Sequence, residues 1–588
     1  MFHVRVLAIC SLFTVLVGLN SSVQAQSPSP AAAMRKLLES GRVPVQRLPA
    51  IVKMISERGT ADDLNYLFQQ VATNPNWPAT LKAETLDWLT VAAIQRKVVP
   101  QSDGNGLKEL LKTEDLAILG PAIELAGLWK VKSAAPRLQQ LASASETKPE
   151  VRRLALKSLS ALDPALSRTL LTELATQGTT FKQRLLGASE LAALDARAAA
   201  PLAARILQSA GPHDDPTPLL DAFLNLKQGS DLLAAELKQV PPTKDQAKLL
   251  LRHMFSLGRT DAILNQVLSG LAGMDQAIPT PTAEELRALV EEANQHGDPA
   301  RGEAVFRRTE LSCMNCHAVS GGGGQIGPDL SAIGASSPGE YLISSVLDPD
   351  QAIKEAFTTK LIATVDGKVL QGIIASRTAD SLVLKDATGK LIAIPLADID
   401  EEIEGKSLMP KGLVNFMTHA EFVDLIAFLG ALGKPGDYAI RSTARMQRYR
   451  VLVPTPENLR EPNSIVTNFE ETVLDSANWT PCYAKVNGQL PLNTLTTKAE
   501  SPVVFIRGEV SCSAAGPATL TLQTSARTQV WLDDEDLGAV STATVQLEPG
   551  KHAVIVRVDT SGQPEAQLQM EFKKPSGSSA EFVVVDGQ

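Results

Sequence analysis

The sequence predicts a multidomain protein of three parts: an N-terminal α-solenoid, a small α domain carrying a β-rich insertion, and a C-terminal antiparallel β-sandwich. Three observations predict it. At 588 residues the chain is several times the ~150 residues of one ordinary domain. Leu and Ala recur at helical spacing up to about residue 296, whereas from residue 461 onward short runs alternate apolar with polar residues as strands do. With 44% hydrophobic and 21% charged residues the chain can bury real cores, which excludes a mainly disordered polymer. The net charge of −9 has the wrong sign for coating a phosphate backbone, so nucleic acid is not an expected partner. Five cysteines, Cys10, Cys313, Cys316, Cys482 and Cys512, are too few for a disulfide-built scaffold.

The elements follow in chain order. Residues 1–25 carry Arg5, an apolar run over 6–19 and Val23-Gln24-Ala25, the layout of a secretory signal peptide cut after Ala25. A retained membrane anchor is the alternative, but the run is shorter than the ~20 residues that span a bilayer. Cys10 follows Ile9 where a lipoprotein signal wants a small residue. The expected product is periplasmic or secreted, without a membrane span once the signal is removed. A flexible lead-in is expected over 26–33. Over 34–296 three stretches, 122–141, 156–174 and 188–207, can be laid over one another. Their anchors Leu125-Ala126-x-Leu128, Leu159-Ser160-x-Leu162 and Leu191-Ala192-x-Leu194 recur after 34 and then 32 residues. A two-helix period of this size suits stacked repeats, because one helix pair cannot bury its own apolar face. The stretch resembles degenerate HEAT-like repeats; an irregular helical bundle is the alternative.

The texture changes over 297–436. A short helix leads to the glycines 321–324, then a β-rich insertion over about 356–405, then another helix. Within the insertion, strands are expected at 360–365, 368–376, 381–385 and 390–394, with Asp366-Gly367 and Thr388-Gly389 as hairpin turns. A linker is expected over 437–460, and the β-sandwich over 461–588. Its clearest strands are 503–510, 518–524, 528–532, 542–547 and 552–558, with Pro549-Gly550 as a turn.

The chemistry is concentrated in Cys313-Met314-Asn315-Cys316-His317. Two thiols separated by two residues can each add to a vinyl group of one porphyrin, and the adjoining His is then placed to ligate the iron. A zinc site would want four ligands, and no second Cys/His pair stands nearby. A thioredoxin-like site would want a βαβ context and has no use for the His. Upstream, Asp298-Pro299 opens a helix carrying Gly302 and Phe306. Downstream come Gly327-Pro328-Asp329-Leu330, then Met409-Pro410. Thr418-His419-Ala420-Glu421 then forms a capping box that starts an apolar helix containing Phe428.

In that order the segment resembles a class I cytochrome c. The resemblance implies thioether links at Cys313 and Cys316, His317 as proximal ligand and Pro328 offering its carbonyl to the other imidazole nitrogen. Met409 would be the distal ligand, so that one covalent haem c is held with His317 and Met409 on its iron. Met417 and His419 are rivals for the sixth position. The β-rich insertion before Met409, with Ser407-Leu408-Met409-Pro410-x-Gly412-Leu413, departs from a plain class I cytochrome. It resembles the haem-binding domain common in exported proteins of planctomycetes and verrucomicrobia, over about 297–436. Thioether ligation favours Fe(II) and fills the sixth site. The implied activity is one-electron transfer by a carrier rather than an enzyme, with a separate dehydrogenase acting on sugars or alcohols as redox partner. A peroxidase-like haem enzyme and a carbohydrate-binding adhesion protein with a minor redox role are the alternatives.

Weaker signals complete the reading. Asp398, Asp400, Glu401, Glu402 and Glu404 form a solvated acidic stretch that could steer a basic partner. For Cys482 and Cys512 a disulfide is expected over two free thiols. The C-terminal part resembles galactose-binding-like or protective-antigen-type modules, through Val530-Trp531-Leu532-Asp533-Asp534 and the hairpin before His552. Polysaccharide binding through Trp479, Tyr483 or Trp531 stands against plain core packing of the three rings. His213, His253, His296 and His552 read as surface residues.

Overall fold

The computed structural model describes residues 30–584 apart from 101–103, 145, 275, 277, 441–444, 462–465, 467–468, 475 and 564. The expected signal peptide, with Cys10, lies outside the described residues. Helix Pro30–Glu39 begins inside the expected lead-in, because Pro30 and the alanines after it suit a first helical turn. Among the described residues no helix is long and apolar enough to cross a membrane. The chain divides into two compact units. One takes the described residues up to Ile206 with Asp221–Leu233; the other takes Leu207–Leu220 and what is described from Ala234 on.

The first unit is helical. The three aligned stretches fall on three successive helix pairs: Leu116–Leu128 with Ala135–Ser143, Pro149–Leu162 with Pro164–Gln177, and Phe181–Leu194 with Ala196–Gln208. The anchors Leu125, Leu159 and Leu191 all lie near the end of the first helix of their pair and are fully buried. Sequence chemistry sets the break within the later pairs. Asp163 and Asp195 each end one helix and cap the next, accepting the backbone N–H of Leu166 at 3.0 Å and of Ala198 at 3.1 Å. The first helices of the pairs pack on one another in one layer.

In the second unit the small α domain is organised by one helix crossing. The opening helix Pro299–Phe306 starts at Asp298, whose carboxylate caps Ala300 and Arg301. The closing helix His419–Ala431 starts at the capping box formed by Thr418 and Glu421. Arg301 donates to both carboxylate oxygens of Asp424, at 2.7 and 2.8 Å, and fixes the crossing. Phe306 lies 5.6 Å from Phe428 in a core closed by Leu342, Ile343, Val423 and Leu429.

The insertion is a five-stranded antiparallel sheet in the order Leu391–Pro395, Ser381–Lys385, Val369–Arg377, Thr359–Thr364 and Ile399–Glu404. The Asp-Gly and Thr-Gly turns join strands where expected. Ile362, Leu382, Leu384 and Ile394 fill its core. The two end strands are not hydrogen-bonded to each other, and the acidic stretch lies on the exposed edge strand Ile399–Glu404.

The C-terminal part is two antiparallel sheets over a shared core. One contains Leu490–Pro491, Gln567–Lys573, Gly516–Gln523 and Thr542–Leu547. The other runs Glu535–Gly538, Arg527–Leu532, Gly550–Asp559, Val503–Ala514, Arg448–Leu452 and Trp479–Tyr483, with Glu581–Val584 also paired to Val503–Ala514. Val504, Ile506, Val554 and Val556 meet Leu520, Val545, Leu568 and Met570 between the sheets. A second layer, Phe505, Trp531 and Ile555 with Leu459 and Val473, covers the outer face of the larger sheet, so strand Gly550–Asp559 is apolar on both faces. Residues 448–452, inside the expected linker, form a strand of this sheet instead; two arginines in a five-residue run hid its alternation.

The expected Cys482–Cys512 disulfide is corrected: both residues are free, buried thiols. Cys482 is opposite Tyr449, and Val451 is opposite Ile506, so Cys512 sits two strands across and four residues along from Cys482. That is roughly 16 Å between Cα atoms, against the ~7 Å a disulfide tolerates.

Candidate functional site

The site is built from a local chain reversal. Cys313–Cys316 makes a single helical turn, and His317 leaves it in extended conformation. The chain then doubles back, pairing Ala318–Val319 with Gly322–Gly323. The N–H groups of Gly324 and Gly327 bond the carbonyls of Met314 and Cys316 at 2.7 and 2.8 Å. This return brings Pro328 beneath the imidazole, where its carbonyl oxygen lies 2.9 Å from His317 Nδ1. A carbonyl only accepts, so Nδ1 carries the proton and the lone pair of His317 is on Nε2. Gly327 is required here: a Cβ on it would lie 2.8 Å from His317 Cε1 and 2.9 Å from Nδ1.

Burial pushes the His317 pKa below the ordinary imidazole value, with the Pro328 carbonyl opposing that shift. The ring is therefore neutral at pH 7 and free to donate its lone pair. Burial also pushes the Cys313 thiol up to about 11 and raises that of Cys316. Neither is an activated thiolate, which a dithiol redox centre of the thioredoxin type would need.

Cys313, Cys316, His317 and Pro328 line one wall of a cavity of about 350 Å³. That lies within the ~300–1,000 Å³ of small-molecule and cofactor pockets. Its other walls are mostly apolar, from Phe306, Leu342, Val346, Leu425 and Leu429. Met409 and Met417 both line it, brought in by the segment between the inserted sheet and the closing helix. The cavity therefore gathers Cys313, Cys316, His317, Pro328 and Met409, with Met417 of the two rivals for the sixth position. Two residues of the insertion that sequence reasoning missed, Ile373 on a strand and Ala387 in a hairpin turn, also line it. Lys385 Nζ donates to the carbonyl of Gln325 at 2.8 Å, tying that sheet to the segment before Pro328.

His419 is not part of the lining. It is exposed, with Nε2 2.8 Å from Glu292 Oε1, and its backbone N–H donates to Asp245 at 2.9 Å. Met417 is almost wholly buried and Met409 half-buried. Among the described residues no group of three or more His, Cys, Asp or Glu side chains is placed to hold a metal ion, so the two thiols lack the further ligands of a zinc site.

The C-terminal sheets abut this domain. Arg307 donates to the carbonyls of Tyr483 and Ala484, the latter at 2.9 Å, and Glu303 accepts the Val486 N–H at 2.7 Å. Arg448 Nε donates to the Gly321 carbonyl at 2.6 Å. Of the aromatic rings named for stacking, Trp531 and Trp479 are packing residues, and Tyr483 is half-buried. Trp531 is buried and stacks on Phe469 with centroids 4.6 Å apart, and Trp479 donates to the Val473 carbonyl at 3.0 Å. His552 departs from its surface reading: Nδ1 is 2.8 Å from Asp533 and Nε2 2.8 Å from the Glu548 carbonyl.

No family model matches the chain, and no curated protein matches it.

Proposed function

We propose that the chain is an exported monohaem c-type cytochrome that carries out one-electron transfer. The observation that supports this best is the single apolar cavity shared by Cys313, Cys316, His317 and Met409, residues drawn from both sides of an inserted sheet. Its residues fit the cofactor. Cys313 and Cys316 would take the thioether bonds, His317 would offer Nε2 and Met409 its thioether sulfur. The bound haem supplies an iron that cycles between Fe(III) and Fe(II). The chain's own contribution is positioning and exclusion of water. Pro328 holds the imidazole and raises its basicity, and the leucine and valine walls keep the site dry and favour the less charged, reduced state.

On this reading the small α domain belongs with class I cytochromes c carrying the insertion, and the helix pairs 116–208 with HEAT-like repeats. The partner is a separate dehydrogenase for sugars or alcohols, with the flanking domains docking it or a polysaccharide. The exposed acidic strand Ile399–Glu404 steers a basic surface of that partner. A peroxidase-like enzyme would need a distal acid or base, and the ring of His419, a rival for the sixth position, is exposed outside the cavity and bonded to Glu292.

The test is spectroscopic. Purified protein is expected to keep haem after denaturation, and haem lost on denaturation, or never acquired, overturns the reading. Ferric wild type is expected to show a methionine-to-iron charge-transfer band that Met409→Ala abolishes. A band that survives assigns the sixth position to Met417 instead.

A further inference from the structure

The segment Ser407–Met417 crosses the cavity with only one 3-10 turn, Leu413–Phe416, as regular structure. Such a segment holds a side chain in place only as well as its ends are anchored. At its start, the Ser407 N–H donates to Asp350 at 2.9 Å, and Lys411 reaches Asp348 at 2.8 Å and Asp350 at 3.1 Å. Its far end is held from outside the domain. Lys248, on helix Lys244–Ser256, donates to the Val414 carbonyl at 3.0 Å and to the Met417 carbonyl at 2.6 Å.

This helix is shaped for that task. Asp245, Lys248 and Arg252 lie three and four residues apart and so share one face. All three engage the same short stretch: Asp245 accepts the His419 N–H at 2.9 Å, and Arg252 reaches Glu421 at 3.0 Å, where Arg308 joins at 2.8 Å. Lys248 meets carbonyls at the end of a helical turn, which carry partial negative charge; that of Val414 also accepts the Met417 N–H at 3.2 Å, whereas that of Met417 lies beyond the turn's own bonds. Its side chain is partly buried, and burial pushes its pKa below the ordinary lysine value.

We propose that Lys248 is a positioning residue for the methionine segment, holding the backbone between Met409 and the closing helix so that a methionine stays presented to the cavity opposite His317. This rests on the proposed function. Removing the ammonium takes away a shared donor, leaving the Met417 carbonyl without it and the Val414 carbonyl with only the Met417 N–H, and raises the share of molecules whose segment has swung away. A ligand that competes for the vacated position then binds more tightly in proportion to that share.

The test titrates ferric, haem-loaded protein with imidazole. Lys248→Met is expected to bind imidazole about tenfold more tightly than wild type, which corresponds to about 1.4 kcal/mol, and Lys248→Arg is expected to stay near wild type. Unchanged imidazole affinity in folded Lys248→Met overturns the proposal. Hydrogen exchange of the amides 411–417 in the milder Lys248→Gln is a second readout that needs no haem. Faster exchange there, with protection of helix Pro299–Phe306 unchanged, supports the proposal; equal protection overturns it. A chain that carries no covalent haem yet shows the faster exchange overturns the proposed function while leaving the anchoring role of Lys248 standing.

Discussion

Gly302 lies so close beneath Asp424 that a Cβ on it would come within 2.0 Å of the Asp424 carbonyl oxygen and 2.7 Å of Phe428 Cβ. Alanine favours a helix interior by about 1 kcal/mol over glycine. Here the obstacle is backbone, so the opening and closing helices must separate, and overpacking of this kind costs about 1–3 kcal/mol. Gly302→Ala is therefore expected to lose about 2 kcal/mol of stability in denaturant titrations. An equal or higher midpoint would show that the crossing is not tight.

Gly327→Ala acts on the site instead of the fold. Its methyl group displaces the His317 ring from the Pro328 carbonyl, and loss of such an orienting bond weakens metal ligation about 10- to 100-fold. In ferrous, haem-loaded Met409→Ala, whose iron lacks the methionine, the iron–histidine stretching frequency is expected to fall when Gly327→Ala is added. An unaltered frequency would mean that the ring keeps its place despite the added carbon.

Arg307 joins the small α domain to the C-terminal sheets through two carbonyls, with Glu303 beside it at 3.9 Å. Replacing it by Met leaves buried acceptors unpaired, at about 3 kcal/mol. Calorimetry of wild type is expected to show these two parts melting together, and Arg307→Met to resolve them into separate transitions. A variant that still melts in one step would refute the coupling.

His552 gives the larger sheet a pH dependence. Burial lowers its pKa, but the Glu548 carbonyl and the Asp533 carboxylate outweigh that, so the folded value is raised. A raised imidazole pKa contributes stability that is complete below the ordinary value of 6.5 and is lost as pH rises through the folded value. Denaturation midpoints of the C-terminal sheets are expected to fall as pH rises above the ordinary imidazole value. His552→Gln should flatten that slope, and a slope unchanged in the variant would assign it to another group.

What could be read from sequence was what is encoded locally. The thiol spacing at Cys313 and Cys316 and the Asp366-Gly367 turn each act over a few residues. So do the caps at Asp298 and Thr418, and all of these match the local geometry. The strands Arg448–Leu452 and Trp479–Tyr483 were missed because arginines and Pro481 interrupt their alternation, and only pairing with Val503–Ala514 gives the first its place. The pairing of Cys482 with Cys512 failed for the same reason, since sheet register is not written in the cysteines. Lys248 was invisible because its partners are backbone carbonyls 166 and 169 residues away, which any residue type could supply.

The walls of the cavity are contributed by residues from Phe306 to Leu429, with the inserted sheet between. A polypeptide made N-terminus first thus exposes Cys313 and Cys316 throughout the synthesis of that sheet, before Leu425 and Leu429 exist to cover them. The interval is a window for maturation. On the proposed function, the haem must reach the two sulfurs before the closing helix docks, so the timing of manufacture gates the site as much as its finished shape does.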